Sequence, residues 1–259
     1  MFCSTGARAR RSRSTLIAAA ALFIAVALSF AVPREAWAII SSTSSININQ
    51  FLGADRFYDA GYTGTRTIQA NIEAGHIWNG HSTLGHVTTR VTGTGAAGSD
   101  NSHATRVGSA MGGRPTSGTF PSNAQAWGIA YDATTWSGAV ATSFTSDTEF
   151  NVTNSSIATT YFPILQTGVG GQTANVFNSS WGFVDAIGTD IRTRGIDGLI
   201  NNNGTVGVFA AGNSGSAANT VWSPGSGYNS ITVGALASGS EGNRYNSVAS
   251  FSGRGPNDF

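Results

Sequence analysis

The chain contains no lysine at all: all 14 of its basic residues are arginine. Charged residues make up only 10% of the sequence, so charge patterning carries little of the fold signal. There is a single cysteine, Cys3, close to the N-terminus, so no disulfide can staple the chain internally. Stability must then come from an apolar core, which 259 residues are long enough to build as one large domain. Histidine is also scarce, at His76, His81, His86 and His103. No fixed internal period recurs, which argues against a β-solenoid adhesin, an architecture that the Gly-, Ser-, Thr- and Asn-rich composition would otherwise fit.

The N-terminus has the features of an export leader. Arg8, Arg10, Arg11 and Arg13 precede an apolar run from Leu16 to Val32, and Ala36-Trp37-Ala38 supplies a small-residue cleavage site. Residues 1–38 read as a signal peptide cleaved near Ala38, in preference to an uncleaved anchor, so the mature protein is expected to be secreted and free of membrane. Cleavage removes five arginines and Glu35. The remainder holds nine arginines and twelve acidic residues, a formal charge of −3. No basic patch is left to suggest nucleic-acid binding.

Beyond the leader, residues 39–66 read as a polar extension with a short helix and turn. From residue 67 strand and helix patterns alternate. Strands are expected within 67–75, 127–140, 174–182, 205–215 and 230–236, the last of them buried. Helices are expected at 103–112, 155–168 and 188–204. Pro163 should end or kink the second, and Gly204 should stop the third. This alternation predicts an α/β fold, three layers α/β/α around a mostly parallel sheet. The segments 67–73, 174–179 and 205–210 should lie parallel in it, with the polar turns that follow them at one end, where such sheets place their chemistry.

Four of these segments carry an acid, an imidazole, a small-residue wall and an amide. They are "ANIEAGH", "NSHATRVGSAMGG", "VFNSSWG" and "VFAAGNSG". Acyl transfer needs such parts: an acid to orient the imidazole, an imidazole to take the nucleophile's proton, and a donor for the oxyanion. His103 falls at the first turn of its helix, capped by Asn101 or Ser102, with Ala104, Val107 and Met111 on one face.

At this level the sequence resembles the subtilisin-like serine peptidases, over about Ile68 to Pro256. "NSHATRVGSAMGG" is similar to the family's N-S-H-G-T-H-V-A-G, with Ala104 and Arg106 in place of its Gly and second His. "GIAYDA" (128–133) is similar to G-V-A-P-x-A, "FNSSWG" to the I-N-x-S-x-G groove strand, and "AAGNSG" to the A-A-G-N-x-G oxyanion turn. The resemblance implies that His103 is the general base and Asn213 the oxyanion donor. Ser180, Trp181 and Gly182, with Ala211 and Gly212, line the substrate groove. It places Glu73 where the family usually has Asp, with Asp100 as the weaker alternative. The family's nucleophile lies in G-T-S-x-A-x-P, which would follow Phe259. Residues 67–259 are therefore expected to be an incomplete peptidase domain, inactive as it stands, acting on polypeptides as a monomer. The resemblance requires no cofactor; it allows structural calcium but assigns it no residues here.

Two rivals remain: a non-catalytic relative that binds peptides, and a secreted structural or adhesive β-protein. His76, His81 and His86 recur every five residues, which does not align them on one helix face. They read as loop histidines near the cleft rather than metal ligands, so no metal site is expected.

Overall fold

The computed structural model describes residues 48–114, 127–146, 149–185, 187–237 and 245–255. The leader, residues 39–47 and residues 256–259 lie outside them. Contacts divide the chain into Met1–Ser44 and Ser45–Phe259, and every described residue belongs to the second unit.

Two short helices, α1 (Ile48–Phe51) and α2 (Ala54–Asp59), come first. They are anchored on the domain rather than separate from it. The Asn49 amide donates to the Trp127 carbonyl at 3.3 Å, and the Tyr58 hydroxyl to the Ile129 carbonyl at 2.7 Å. Then follow β1 (Ile68–Glu73), β2 (Thr89–Thr92), α3 (Ser102–Gly112), β3 (Thr134–Ala139), β4 (Ala141–Phe144) and β5 (Phe150–Val152). The second half comprises α4 (Asn154–Phe162), β6 (Val176–Ser179), β7 (Phe183–Val184), α5 (Ile191–Asn203), β8 (Val206–Ala210), β9 (Trp222–Ser223) and β10 (Ser230–Val233). Six strands form one sheet in the order β10-β8-β6-β1-β3-β2, and every neighbouring pair is parallel. The expectation for 67–73, 174–179 and 205–210 therefore holds: β1, β6 and β8 are adjacent and parallel. Two small antiparallel pairs, β4–β5 and β7–β9, lie outside the main sheet.

Strand β1 is buried along its whole length, yet its two faces differ in chemistry. Ile68, Ala70 and Ile72 point into the main core with Trp136, Phe177 and Phe209. That core is closed by Tyr161, Ile164 and Leu165 in and just after α4, and by Ile196, Leu199 and Ile200 of α5. Rings of Tyr161, Phe177 and Phe209 meet edge to face, with centroids 5.6 and 5.4 Å apart. The alternate residues Gln69, Asn71 and Glu73 face α3 on the other side. The Gln69 amide donates to Thr135 Oγ1 at 3.0 Å, and the Asn71 amide to the Ala104 carbonyl at 3.0 Å. Helices thus cover both faces, and the polar row sits under α3.

Helix boundaries have local causes. Asn101 Oδ1 accepts from the Ala104 N–H at 2.9 Å and caps α3. Thr153 and Ser156 form a reciprocal capping box at the start of α4. Pro163 ends α4, and a π-helical turn, Pro163–Thr167, continues from it. Gly204 closes α5 at φ 63°, as its position in the sequence suggests. Close packing of α3 needs glycine: a Cβ on Gly108 would lie 2.6 Å from Ile77 Cδ1.

One expectation fails. The strand expected buried at 230–236 is β10, a sheet edge, with Ile231 54% and Val233 52% exposed. It pairs only with β8, and no described strand pairs with its other edge. Hydrophobicity marks the strand but not its place in the order.

Phe177 sits at the centre of the aromatic stack and is fully buried. Phe177→Ala is expected to cost about 3–5 kcal/mol in equilibrium urea unfolding. The exposed control Phe57→Ala should cost about 0.5 kcal/mol or less.

Candidate active site

Glu73 is the last residue of β1, and His103 is the second residue of α3. The parallel sheet brings the end of β1 under the start of that helix. Glu73 Oε2 lies 3.3 Å from His103 Nδ1. This is longer than the ~2.8 Å typical of a charge-assisted bond, and catalytic contacts commonly tighten only when substrate is bound. No described residue hydrogen-bonds His103 Nε2.

Glu73 is 1% exposed, so its carboxylate needs partners. Oε1 accepts from the Ser180 backbone N–H at 2.7 Å and from the Asn178 amide at 3.1 Å. The same Asn178 amide reaches Asn71 Oδ1 at 3.1 Å. Asn71 and Asn178 stand in register on adjacent strands, which aligns the amide row. Asn178 has no role in the sequence reading. The signal for it is the parity of polar residues on β1 and β6, visible only once the two strands are known to be neighbours.

Burial is the largest influence on Glu73 and raises its pKa; His103 and the Ser180 N–H oppose it. His103 is raised above the ordinary histidine value, first by the Glu73 carboxylate, against its own partial burial. Arg106, one turn along α3, acts weakly in the lowering direction. Protonation of His103 therefore favours the fold: its contribution is complete below about pH 6.5 and is lost as pH rises through the folded-state value of His103.

The other candidates divide. Asp100, the alternative acid, makes no ion pair with His103; its Oδ1 pairs with Arg90 Nη2 at 2.5 Å instead. Ser180 directs its N–H to Glu73. Trp181 is a correction. It is 4% exposed and belongs to the main core, with its ring 6.3 Å from that of Phe150, so it is not a groove wall. The side chain after Ser180 points into the sheet's apolar layer, where a large ring gains most from burial. Gly182 packs against Ser223, and the turn after β8 carries buried Ala211, Gly212 at φ 93° and exposed Asn213. Asn213 has no hydrogen-bond partner among the described residues. It leaves the same end of the sheet as Glu73.

His76 does lie in the connection between β1 and β2, but it is buried at 1% exposed, with Nδ1 3.1 Å from Ser137 Oγ and Nε2 2.8 Å from Thr92 Oγ1. Its backbone bonds to Ser99 and Asn101, holding the entry to α3. No group of three or more His, Cys, Asp or Glu among the described residues could hold a metal. A cavity of about 670 Å³ opens on the flank of α3 formed by Ser102, Arg106 and Ser109, near Trp78 and Trp127; Glu73, His103 and Asn213 do not line it. No helix among the described residues is long and apolar enough to cross a membrane.

The model of the Subtilase family matches residues 73–258, a span that starts at Glu73. The chain belongs to the subtilase family. Solved structures with similar folds include the following three. A prenylagaramide maturation protease shares 20% identity at a TM-score of 0.58, over 79% of this chain and 64% of its own. An S41 psychrophilic protease shares 22% at 0.57, over 78% and 65%. Sphericase shares 24% at 0.54, over 78% and 65%. The subtilase chain thus matches just under two thirds of the length of these structures. No curated protein matches it.

Two pH measurements follow. The His103 ring should titrate above about 6.5 by NMR, and Glu73→Gln should bring its midpoint down. His76 behaves oppositely: burial foremost, then Arg90, pushes it down to about 4. Its stabilising effect is complete above about pH 6.5 and is lost as pH falls toward 4, because the unfolded chain takes up a proton that the folded one refuses. The thermal midpoint should fall across that window, and less steeply in His76→Gln.

Proposed function

We propose that this subtilase is an exported serine endopeptidase in which Glu73 takes the place of the family's aspartate. The observation that carries the reading is the buried Glu73 carboxylate 3.3 Å from His103 Nδ1, with Nε2 left without a hydrogen-bond partner among the described residues. Glu73 accepts a hydrogen bond from Nδ1–H and stabilises the imidazolium when it forms. Nε2 is then the basic atom. It takes the proton of a serine hydroxyl as that oxygen bonds to the scissile carbonyl carbon, and returns it to the departing amine. Water then releases the acyl group by the same route. Asn213, exposed on its turn, donates its side-chain amide to the oxyanion. The serine is expected from a G-T-S-x-A-x-P segment following Phe259. The leader at residues 1–38 supports export, and the substrates are polypeptides.

The competing reading is a relative that binds peptides without cleaving them, which the altered His motif with Ala104 and Arg106 favours. In a chain carrying the downstream serine segment, Glu73→Gln should lower kcat by about 10⁴, the size of losing a triad acid. Glu73→Asp should retain far more. Unchanged turnover in Glu73→Gln would remove Glu73 from the mechanism. A serine-bearing chain that binds peptides but shows no turnover would establish the competing reading.

A further inference from the structure

Gly182 and Gly212, which the family resemblance places along the substrate groove, both abut Trp222. A Cβ on Gly212 would overlap the Cγ, Cδ1 and Cδ2 atoms of the Trp222 indole. One on Gly182 would lie 3.1 Å from Trp222 Cβ and 3.3 Å from Cε3. The indole is therefore wedged between the backbone that follows β6 and the turn that follows β8. Gly212 needs to be glycine because the ring takes up the room, and Gly182 because a Cβ there would lie 2.6 Å from the Ser223 carbonyl oxygen as well as against Trp222.

The ring is held there. The Trp222 backbone N–H donates to the Ala211 carbonyl at 3.0 Å. Val184 of β7 pairs with Trp222 of β9. The indole Nε1 donates to Ser214 Oγ at 2.5 Å, tying the ring to the residue beside Asn213. Trp222 remains half-buried beside these two glycines.

We propose that Trp222 fills the side-chain subsite next to the scissile carbonyl, so that the cleft accepts Gly, Ala or Ser there and excludes aromatic and long aliphatic residues. This rests on the peptidase reading, in which a peptide lies between Gly182 and Gly212 with its reacting carbonyl at Asn213. A packed indole cannot yield the volume of a second ring without breaking its bond to Ser214 or its pairing with β7.

The test needs no nucleophile. Product-like peptides Ac-Ala-Ala-Ala-Ala and Ac-Ala-Ala-Ala-Phe, each with a free carboxylate, are titrated into the full chain by NMR. The alanine peptide should bind at least about tenfold more tightly, at the low end of what pocket size discriminates. Trp222→Ala should raise affinity for the phenylalanine peptide about tenfold and leave the alanine peptide within about threefold. Trp222→Leu, which keeps the wall apolar, should fall between and serves if the alanine variant unfolds. Equal binding of both peptides to the parent chain, or an unchanged preference in a folded variant, overturns the role of Trp222. Failure of both peptides to bind parent and folded variants alike overturns the groove itself, and with it the reading of these walls as a peptide cleft.

Discussion

The contact between Glu73 and His103 joins the last residue of the central strand to the first turn of the helix above it. Much of the surrounding architecture is needed to make it tolerable. A carboxylate that is 1% exposed is costly to ionise, and burial does raise its pKa. The cost is offset by one backbone N–H, one amide and the imidazole, each from a different residue. Loss of any of them would leave a buried charge with fewer donors than it needs.

That requirement explains the polarity of the sheet's α3-facing side. Gln69, Asn71 and Glu73 on β1, Asn178 on β6, and Thr135 and Ser137 on β3 form a continuous polar layer. The opposite side of the same strands is aliphatic and aromatic. The apolar layer supplies stability, and the polar layer fixes orientation. His76 adds to the polar layer. Its backbone holds the residues before α3, and its ring ties β2 to β3 beneath them. Small residues on α3 then let the helix sit close enough for an imidazole to reach the strand end.

The strand–helix alternation, the caps and the paired acid and histidine were legible in the sequence, because each depends on residues near one another in the chain or on a short motif. What the sequence hid depends on which strands are neighbours. Asn178 matters only because β6 lies beside β1. Trp181 reads as part of a groove motif, yet strand parity turns its ring into the core, where its burial is worth most. Trp222, much further along the chain, is the tryptophan packed against Gly182 and Gly212, and no local pattern announces it. Similarly, β10 reads as buried from composition, and only its position at the sheet edge exposes Ile231 and Val233.

The proposed mechanism requires Glu73 to hold one tautomer of the His103 ring. The tautomer is read directly from the ¹⁵N chemical shifts of the ring above its titration midpoint, where the imidazole is neutral. With Glu73 as the orienting acid, Nδ1 carries the proton and faces the carboxylate, and Nε2 is bare. A ring that carries its proton on Nε2 in the folded chain would contradict that role.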